Sequence, residues 1–186
     1  MKKKIRVGII GIGNMGSGHA KFIKLGLCPH IEITAIADTN PQRLEWAKKQ
    51  KFGKNITYFS DDIEMLDSGL IDACIIAVPH YDHPGLATQC MKRSIHVMLE
   101  KPSGVYTKQV REMNEEADRH PEVVFGMMFN QRTNCVYRKL RELVQSGKYG
   151  SIRRTNWLIT TWYRPQAYYN SGGWRATWAG EGGGVL

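Results

Sequence analysis

The 186-residue sequence contains no apolar run near the ~18–20 residues that a membrane-crossing helix needs, so no membrane partner is expected. Its opening, MKKKIRVGII, has the basic-then-apolar order of a secretory leader. Arg6 interrupts that run, however, and Gly8, Gly11 and Gly13 follow without a small-residue cleavage site, so a strand is the better reading. Cysteine is sparse. The four residues, at 28, 74, 90 and 135, form no CxxC pair, which argues against a metal site and a disulfide framework. Free thiols in a reducing compartment, the cytoplasm, are expected. Acidic residues are also short, 17 against 26 basic ones, for a net charge of +9. Nucleic acid is the first partner such a balance raises, but apart from Lys2-Lys3-Lys4 the basic residues are dispersed and no recognition motif accompanies them, so none is expected. A basic surface equally suits an anionic phosphate ligand, or is offset by acidic residues on further chain.

What is present is concentrated in residues 5–16, IRVGIIGIGNMG, an apolar strand running into a turn with glycines at 11, 13 and 16. Gly11 permits a tight turn, Gly13 lets a pyrophosphate approach the backbone, and Gly16 lets the following helix pack close to the sheet. That helix's free N–H groups and positive dipole end then face the phosphates. With Ile12, Asn14 and Met15, these glycines form the expected phosphate cradle. An amphipathic stretch (His19, Ala20, Phe22, Ile23) and a second strand over 31–37 follow, ending at Asp38. Asp38 lies 38 − 16 = 22 residues past Gly16, close to the ~20 expected of the carboxylate that accepts ribose hydroxyls. Asp38 alone could be a helix cap before a plain turn, but the whole pattern reads as dinucleotide binding. Its carboxylate would repel a 2′-phosphate, and Thr39 and Asn40 offer no compensating cation, so NAD is expected over NADP.

Strand and helix then alternate. Helices are predicted over 41–51, opened by Pro41, and 61–66, where Asp61 and Asp62 read as caps. Arg43 either lies over the adenine or is a solvated helix charge. The run IDACIIAV at 71–78 fits a strand buried on both faces. Further strands are predicted at 55–59, 95–99 and 123–129, and helices at 83–93 (Leu86, Ala87, Cys90 and Met91 inward), 107–120 and 136–146. The pattern is α/β, a Rossmann-type doubly wound parallel sheet. Residues 1–130 are assigned to the dinucleotide-binding domain. At 151 the character changes to IRRTNWLITTWY, read as a strand over 152–163 of a different sheet, then an aromatic, glycine-rich stretch holding Trp174 and Trp178. A lone strand cannot bury these aromatics. Residues 131–186 are therefore read as the incomplete start of a second, substrate and oligomerisation, α/β domain of a longer protein.

GIGNMG at 11–16, Ala37-Asp38, AVP at 77–79 with His83, EKP at 100–102, Tyr149-Gly150 and W…GGGVL over 174–186 occur in this order. Together they resemble the glucose–fructose oxidoreductase / inositol dehydrogenase (Gfo/Idh/MocA) family, with EKP the discriminating motif. The resemblance implies a two-domain, homo-oligomeric enzyme, dimer or tetramer. It would be an NAD(P)-dependent dehydrogenase acting on CH–OH groups of a sugar or cyclitol. The resemblance places Lys101 of EKP beside the nicotinamide and the reacting hydroxyl. The family's acid/base histidine follows the GGG stretch and would lie past Leu186.

Oxidising a secondary alcohol needs hydride loss from carbon and proton loss from oxygen. Lys101, at a strand's carboxyl end, can orient the oxygen, polarise it or relay its proton. Taken without the resemblance, it and Glu100 read as an exposed ion pair. Pro102 would stiffen the turn, with a cis bond open to it. Further cofactor contacts are expected from Val78, Pro79, His80, His83, Glu100 and Asn130. His83 is expected to cap or pack the helix start, and Tyr81 either stacks on cofactor or covers the sheet edge. Arg132, Tyr163, Arg164, Trp174 and Arg175 have the faces and donors that bind sugar hydroxyls, or are core residues awaiting partners. No metal ligands are assigned. The competing reading is a non-catalytic, redox-sensing dinucleotide-binding module.

Overall fold

The computed structural model describes residues 4–161, 163–170 and 172–183. Lys2, Lys3, Trp162 and the final Gly184-Val185-Leu186, all of which entered the sequence reading, lie outside the described residues. The chain divides into two compact units: residues 4–128 with 177–183, and Phe129–Ala176.

The first unit is built on six parallel strands: β1 (Ile5–Ile10), β2 (Ile31–Ala37), β3 (Thr57–Phe59), β4 (Ala73–Ile76), β5 (His96–Leu99) and β6 (Phe125–Met127). Their order is β3-β2-β1-β4-β5-β6, with the direction of winding reversed beside β1. Parallel strands need crossovers, and helices supply them: α1 (Asn14–Lys24), α2 (Pro41–Gln50), α3 (Asp62–Asp67), α4 (His83–Met91) and α5 (Thr107–Arg119). Alternate side chains of the strands feed two cores. Ile9 and Ile36 pack with Ile12, Ala20, Leu44, Ala47 and Phe52. Ile10, Ala35, Ala37, Ile76 and Leu99 pack with Met65, Leu86, Ala87, Cys90, Met91 and Met113. Burial on both faces is why these strands read as continuous apolar runs. The four predicted inward residues of α4 are all buried.

The ends of the helices follow local chemistry. Asn40 accepts from the Gln42 N–H, Pro41 occupies the first turn, and Lys51 ends α2 in the left-handed region. Asp61 caps α3 through the Glu64 N–H, as read from the sequence. Several strands are shorter than expected, β4 covering four residues of the predicted 71–78, because the ladder stops where the neighbouring strand ends. All four cysteines are free thiols, and Cys74 and Cys90 are buried. Contact with the Cys90 thiol, then burial, pushes the Cys74 thiol pKa well up.

A short helix over Trp178–Glu181 also belongs to this first unit. The second unit holds α6 (Cys135–Gln145), capped by the Asn134 side chain, and α7 (Gln166–Asn170). The Tyr137 and Trp157 rings stack at 5.7 Å. The strand expected over 152–163 does not form among the described residues; Trp157, Leu158 and Ile159 are exposed there. A strand exists through its ladder, and no described segment pairs with this one. The same segment fails to bury its aromatics, the outcome argued for a lone strand.

Burial predicts a contrast between two chemically identical substitutions. Leu99 is 0% exposed and Leu158 is 89% exposed. Leu99→Ala should lower unfolding stability by about 2–5 kcal/mol and Leu158→Ala by less than about 0.5 kcal/mol, read by urea denaturation. Equal losses would contradict the core assignment.

Candidate active site

The strands of a parallel sheet end together, and here the registers make their carboxyl ends level. Ile10 pairs with Ala37 and with Ile76, Ile76 with Leu99, and Leu99 with Met127. The segments that start at Gly11, Asp38, Ala77, Glu100 and Met128 therefore leave from one rim.

At the centre of that rim the three glycines do three different things. Gly11 has φ +85°, and a Cβ there would stand 2.6 Å from the Ala77 carbonyl oxygen. A Cβ on Gly16 would stand 1.9 Å from the Gly11 carbonyl oxygen, so α1 seats on the turn only without one. A Cβ on Gly13 would meet nothing within 4 Å, which leaves that stretch of backbone open to a ligand. Gly13 is the N-cap of α1 and no side chain caps the helix, so first-turn N–H groups remain for an anion. Asp38 is tied into this loop: its Oδ2 accepts the Ile12 N–H at 2.8 Å and its Oδ1 the Asn40 N–H at 2.9 Å. Each oxygen keeps acceptor capacity for a ribose hydroxyl. Arg43 is no simple solvated charge. Its Nε donates to the Ile12 carbonyl at 3.0 Å, its Nη2 reaches the same oxygen, and its guanidinium lies 4.4 Å over Trp46. The open Gly13, the uncapped helix and the placed carboxylate fit the diphosphate and ribose of a dinucleotide.

Two strands away, β5 delivers Glu100 and Lys101 to the same rim. Glu100 is 4% exposed. Its Oε1 lies 2.7 Å from His19 Nε2, and its Oε2 accepts the Lys101 backbone N–H at 3.2 Å. Burial acts to raise the Glu100 carboxyl pKa. The hydrogen bond and charge of His19, helped by Lys101, outweigh it and hold the pKa below the usual carboxylate value. The exposed ion pair considered for Glu100 and Lys101 is thus not what forms: the acid is buried against His19, and Lys101 is exposed. The Lys101–Pro102 peptide bond is cis.

The segment after β4 completes this side. Beyond Val78 and Pro79 comes a 3-10 turn, His80–Asp82. The His80 Nδ1 lies 3.3 Å from the Glu181 carbonyl. Desolvation, opposed by that carbonyl but aided by the His83 and Lys101 charges, lowers the His80 pKa. His83, 1% exposed, packs the start of α4 as expected. Its Nδ1 lies 2.5 Å from the Pro102 carbonyl and its Nε2 2.9 Å from the Val78 carbonyl. Tyr81 covers the edge: its hydroxyl donates to the Trp178 carbonyl at 3.0 Å and its ring meets Tyr106 edge-on. Trp178 opens the short helix α8 (Trp178–Glu181), which packs on the 3-10 turn.

The structure brings the glycine loop, Asp38, Arg43, Val78, Pro79, His80, His83, Glu100 and Lys101 into the first unit. Asn130, Arg132, Tyr163, Arg164, Trp174 and Arg175 belong to the second. There the Arg132 guanidinium lies 5.0 Å over Phe129. Arg164 and Arg175 lie over the Tyr168 ring, Arg175 donates to the Tyr168 hydroxyl at 2.7 Å, and it also covers Trp174. Tyr163 is exposed. Sequence reasoning passed over His19, taken only as part of an amphipathic helix. Its signal was a titratable side chain beside Ala20 and Ile23 on the inward face.

The family model described as "Oxidoreductase family, NAD-binding Rossmann fold" (GFO_IDH_MocA) matches residues 5–127. The chain belongs to this family. A myo-inositol 2-dehydrogenase of Thermotoga maritima is 31% identical over 146 residues, 78% of this chain and 42% of that protein. The crystal structure of a Lactobacillus casei scyllo-inositol dehydrogenase with bound NAD(H) and scyllo-inositol matches with a TM-score of 0.74 and 30% identity, over 80% of this chain and 43% of that one. A Bordetella pertussis WlbA dehydrogenase, solved with NADH and UDP-GlcNAcA, gives 0.82 and 27%, over 97% and 52%. The chain thus spans less than half the length of the first two relatives and about half of the third. The Gfo/Idh/MocA resemblance drawn from the separated motifs, and the Rossmann fold it implies, are borne out.

Two predictions follow from this geometry. Gly13→Ala should fold like the wild type yet bind NADH at least about tenfold more weakly, ~1.4 kcal/mol, by fluorescence titration. Gly16→Ala should instead lower the unfolding midpoint, because backbone has to move; the reverse pattern would refute the assigned roles. For pH, the folded Glu100 pKa lies below its ordinary 4.5, so its stabilising charge is complete above about pH 4.5 and lost as pH falls through the folded value. The stability gap between wild type and Glu100→Gln should therefore narrow on acidification below that pH, measured by urea unfolding at stepped pH. A constant gap would contradict it.

Proposed function

We propose that this chain carries the cofactor site of an NAD-dependent oxidoreductase that moves a hydride between nicotinamide and a hydroxyl-bearing carbon of a cyclitol or sugar. The observation that carries this reading is one rim bearing an open glycine cradle, a carboxylate 22 residues on (38 − 16), and an exposed lysine from the neighbouring strand pair. The inositol dehydrogenases among its relatives favour a cyclitol.

Gly11–Gly16 and the first turn of α1 would hold the pyrophosphate, and Asp38 the adenosine ribose. Arg43 fixes the Ile12 carbonyl and so shapes the loop's outer wall. Val78, Pro79, His80 and Asn130 are assigned to the nicotinamide end. When bound, the nicotinamide supplies the hydride acceptor or donor. Lys101 would present an ammonium that donates a hydrogen bond to the reacting oxygen, orients it and stabilises the negative charge that develops there as the hydroxyl proton passes to a separate base. Arg132, Tyr163, Arg164, Trp174 and Arg175 are assigned to substrate hydroxyls, and homo-oligomerisation to the second unit. Among the described residues Asp38 accepts from backbone N–H groups and pairs with no cation, and its carboxylate would repel a 2′-phosphate, so NAD is assigned over NADP.

Parallel fluorescence titrations test the cofactor assignment. NADH should bind at least about tenfold tighter than NADPH, and Asp38→Ala should remove most of that gap. Equal wild-type affinities would overturn it. In a form extended to the length of its relatives, Lys101→Ala should cut NAD reduction by inositols or sugars about 10²–10⁴-fold while NADH affinity stays within about threefold. Unchanged turnover would remove Lys101 from the chemistry.

A further inference from the structure

We propose that His19 is a positioning residue that holds the Lys101 turn to the dinucleotide-binding helix, the inner half of a clamp whose other half is His83. The inference rests on the function proposed for Lys101 and adds how that lysine is placed. β5 is not a neighbour of β1 in the sheet, since β4 stands between them. By strand pairing alone, the Glu100-Lys101-Pro102 turn reaches α1 only through β4. The side chains make a direct link across that gap. His19, on α1, lies with Nε2 2.7 Å from Glu100 Oε1, and both side chains are largely buried. The other oxygen of the same carboxylate accepts the Lys101 N–H. Glu100 thus bridges the helix to the lysine's own backbone. Among the described residues, His19 is the one side chain that hydrogen-bonds this carboxylate.

The physical argument is one of satisfaction. A buried carboxylate deprived of its donor is costly, so it takes up a proton or turns toward water. Either change weakens its acceptance of the Lys101 N–H and frees the turn. At the far end of the turn the buried His83 ring sits between the Pro102 and Val78 carbonyls, with Nδ1 2.5 Å from the first and Nε2 2.9 Å from the second, so its single N–H donates to one and the ring packs against the other. The backbone on both sides of Lys101 is therefore pinned, once to α1 and once to the segment after β4, while the lysine side chain stays exposed. A ligand seated on the first turn of α1 and the lysine at the reacting end are then parts of one rigid frame.

The test is hydrogen–deuterium exchange of the chain, with and without NADH, for wild type, His19→Ala and His19→Gln. Gln keeps an N–H donor that can reach Glu100, without the ring. In His19→Ala, exchange at residues 99–104 should rise at least about tenfold while β1 and β4 stay protected. His19→Gln should restore much of the protection. NADH should still protect residues 11–16 in His19→Ala but no longer add protection at 99–104. Unchanged exchange at 99–104 in His19→Ala would overturn the proposal. So would a rise spread evenly over β1 and β4, or an absence of rescue by Gln. If wild type shows no NADH protection anywhere, the cofactor reading fails, while the ligand-free comparison still decides whether His19 holds the turn.

Discussion

The close approach of α1 to the turn after β1 is the constraint on which this structure depends. The helix seats on the Gly11 carbonyl at a distance that excludes any Cβ on Gly16. That seating fixes where the helix begins, and so where its uncapped N–H groups and positive dipole end lie. It also sets how closely the turn after β1 lies against the segment after β4, because a Cβ on Gly11 would stand 2.6 Å from the Ala77 carbonyl oxygen. The order of strands reverses beside β1, and an open crevice at such a point is where ligands of doubly wound sheets bind. The form of this loop is thus a consequence of packing around Gly11 and Gly16.

Electrostatics then distribute roles along the rim. Asp38 and Glu100 are both carboxylates at strand ends, and the structure treats them differently. Asp38 spends part of its acceptor capacity on two backbone N–H groups and keeps the rest at the loop surface. Glu100 is buried, with its oxygens used by His19 and the Lys101 N–H. On the function proposed, the first receives ribose hydroxyls; the second holds its own chain. The depressed Glu100 pKa follows from its partners outweighing burial, which is what a structural carboxylate requires at neutral pH.

The sheet was legible because each strand carries its burial in its sequence. IRVGII, IEITAIA and ACII lack the polar alternation of a half-exposed strand, and glycine or an acid closes the turns between elements. Asp61 and Pro41 announced helix starts because capping is a local matter. The segment 152–161 misled for the complementary reason. Its β-branched and aromatic residues record a preference for a pleated surface, and a preference becomes a strand only when another backbone supplies the ladder. At the site, the glycine loop and Asp38 were readable from spacing alone, whereas Lys101 rested on the family motif. His19 showed in the sequence only as a titratable side chain on an inward helix face, because its partner lies 81 residues away in the chain.

On the function proposed, the exposure of Lys101 beside the buried Glu100 has a kinetic meaning. A lysine side chain carries about 2 kcal/mol of rotamer entropy, which must be surrendered when its ammonium docks on a reacting oxygen. Ordering a free loop at the same moment would add roughly 1–2 kcal/mol for each residue fixed. His19 through Glu100 and His83 through Pro102 fix those backbone torsions during folding, where the hydrophobic cores offset the cost. What remains for substrate binding is the side chain alone. On that reading, the arrangement would leave the lysine side chain free to meet a ligand while confining its search to a small volume above the rim, a form of preorganisation that lowers the cost of orienting a reacting group.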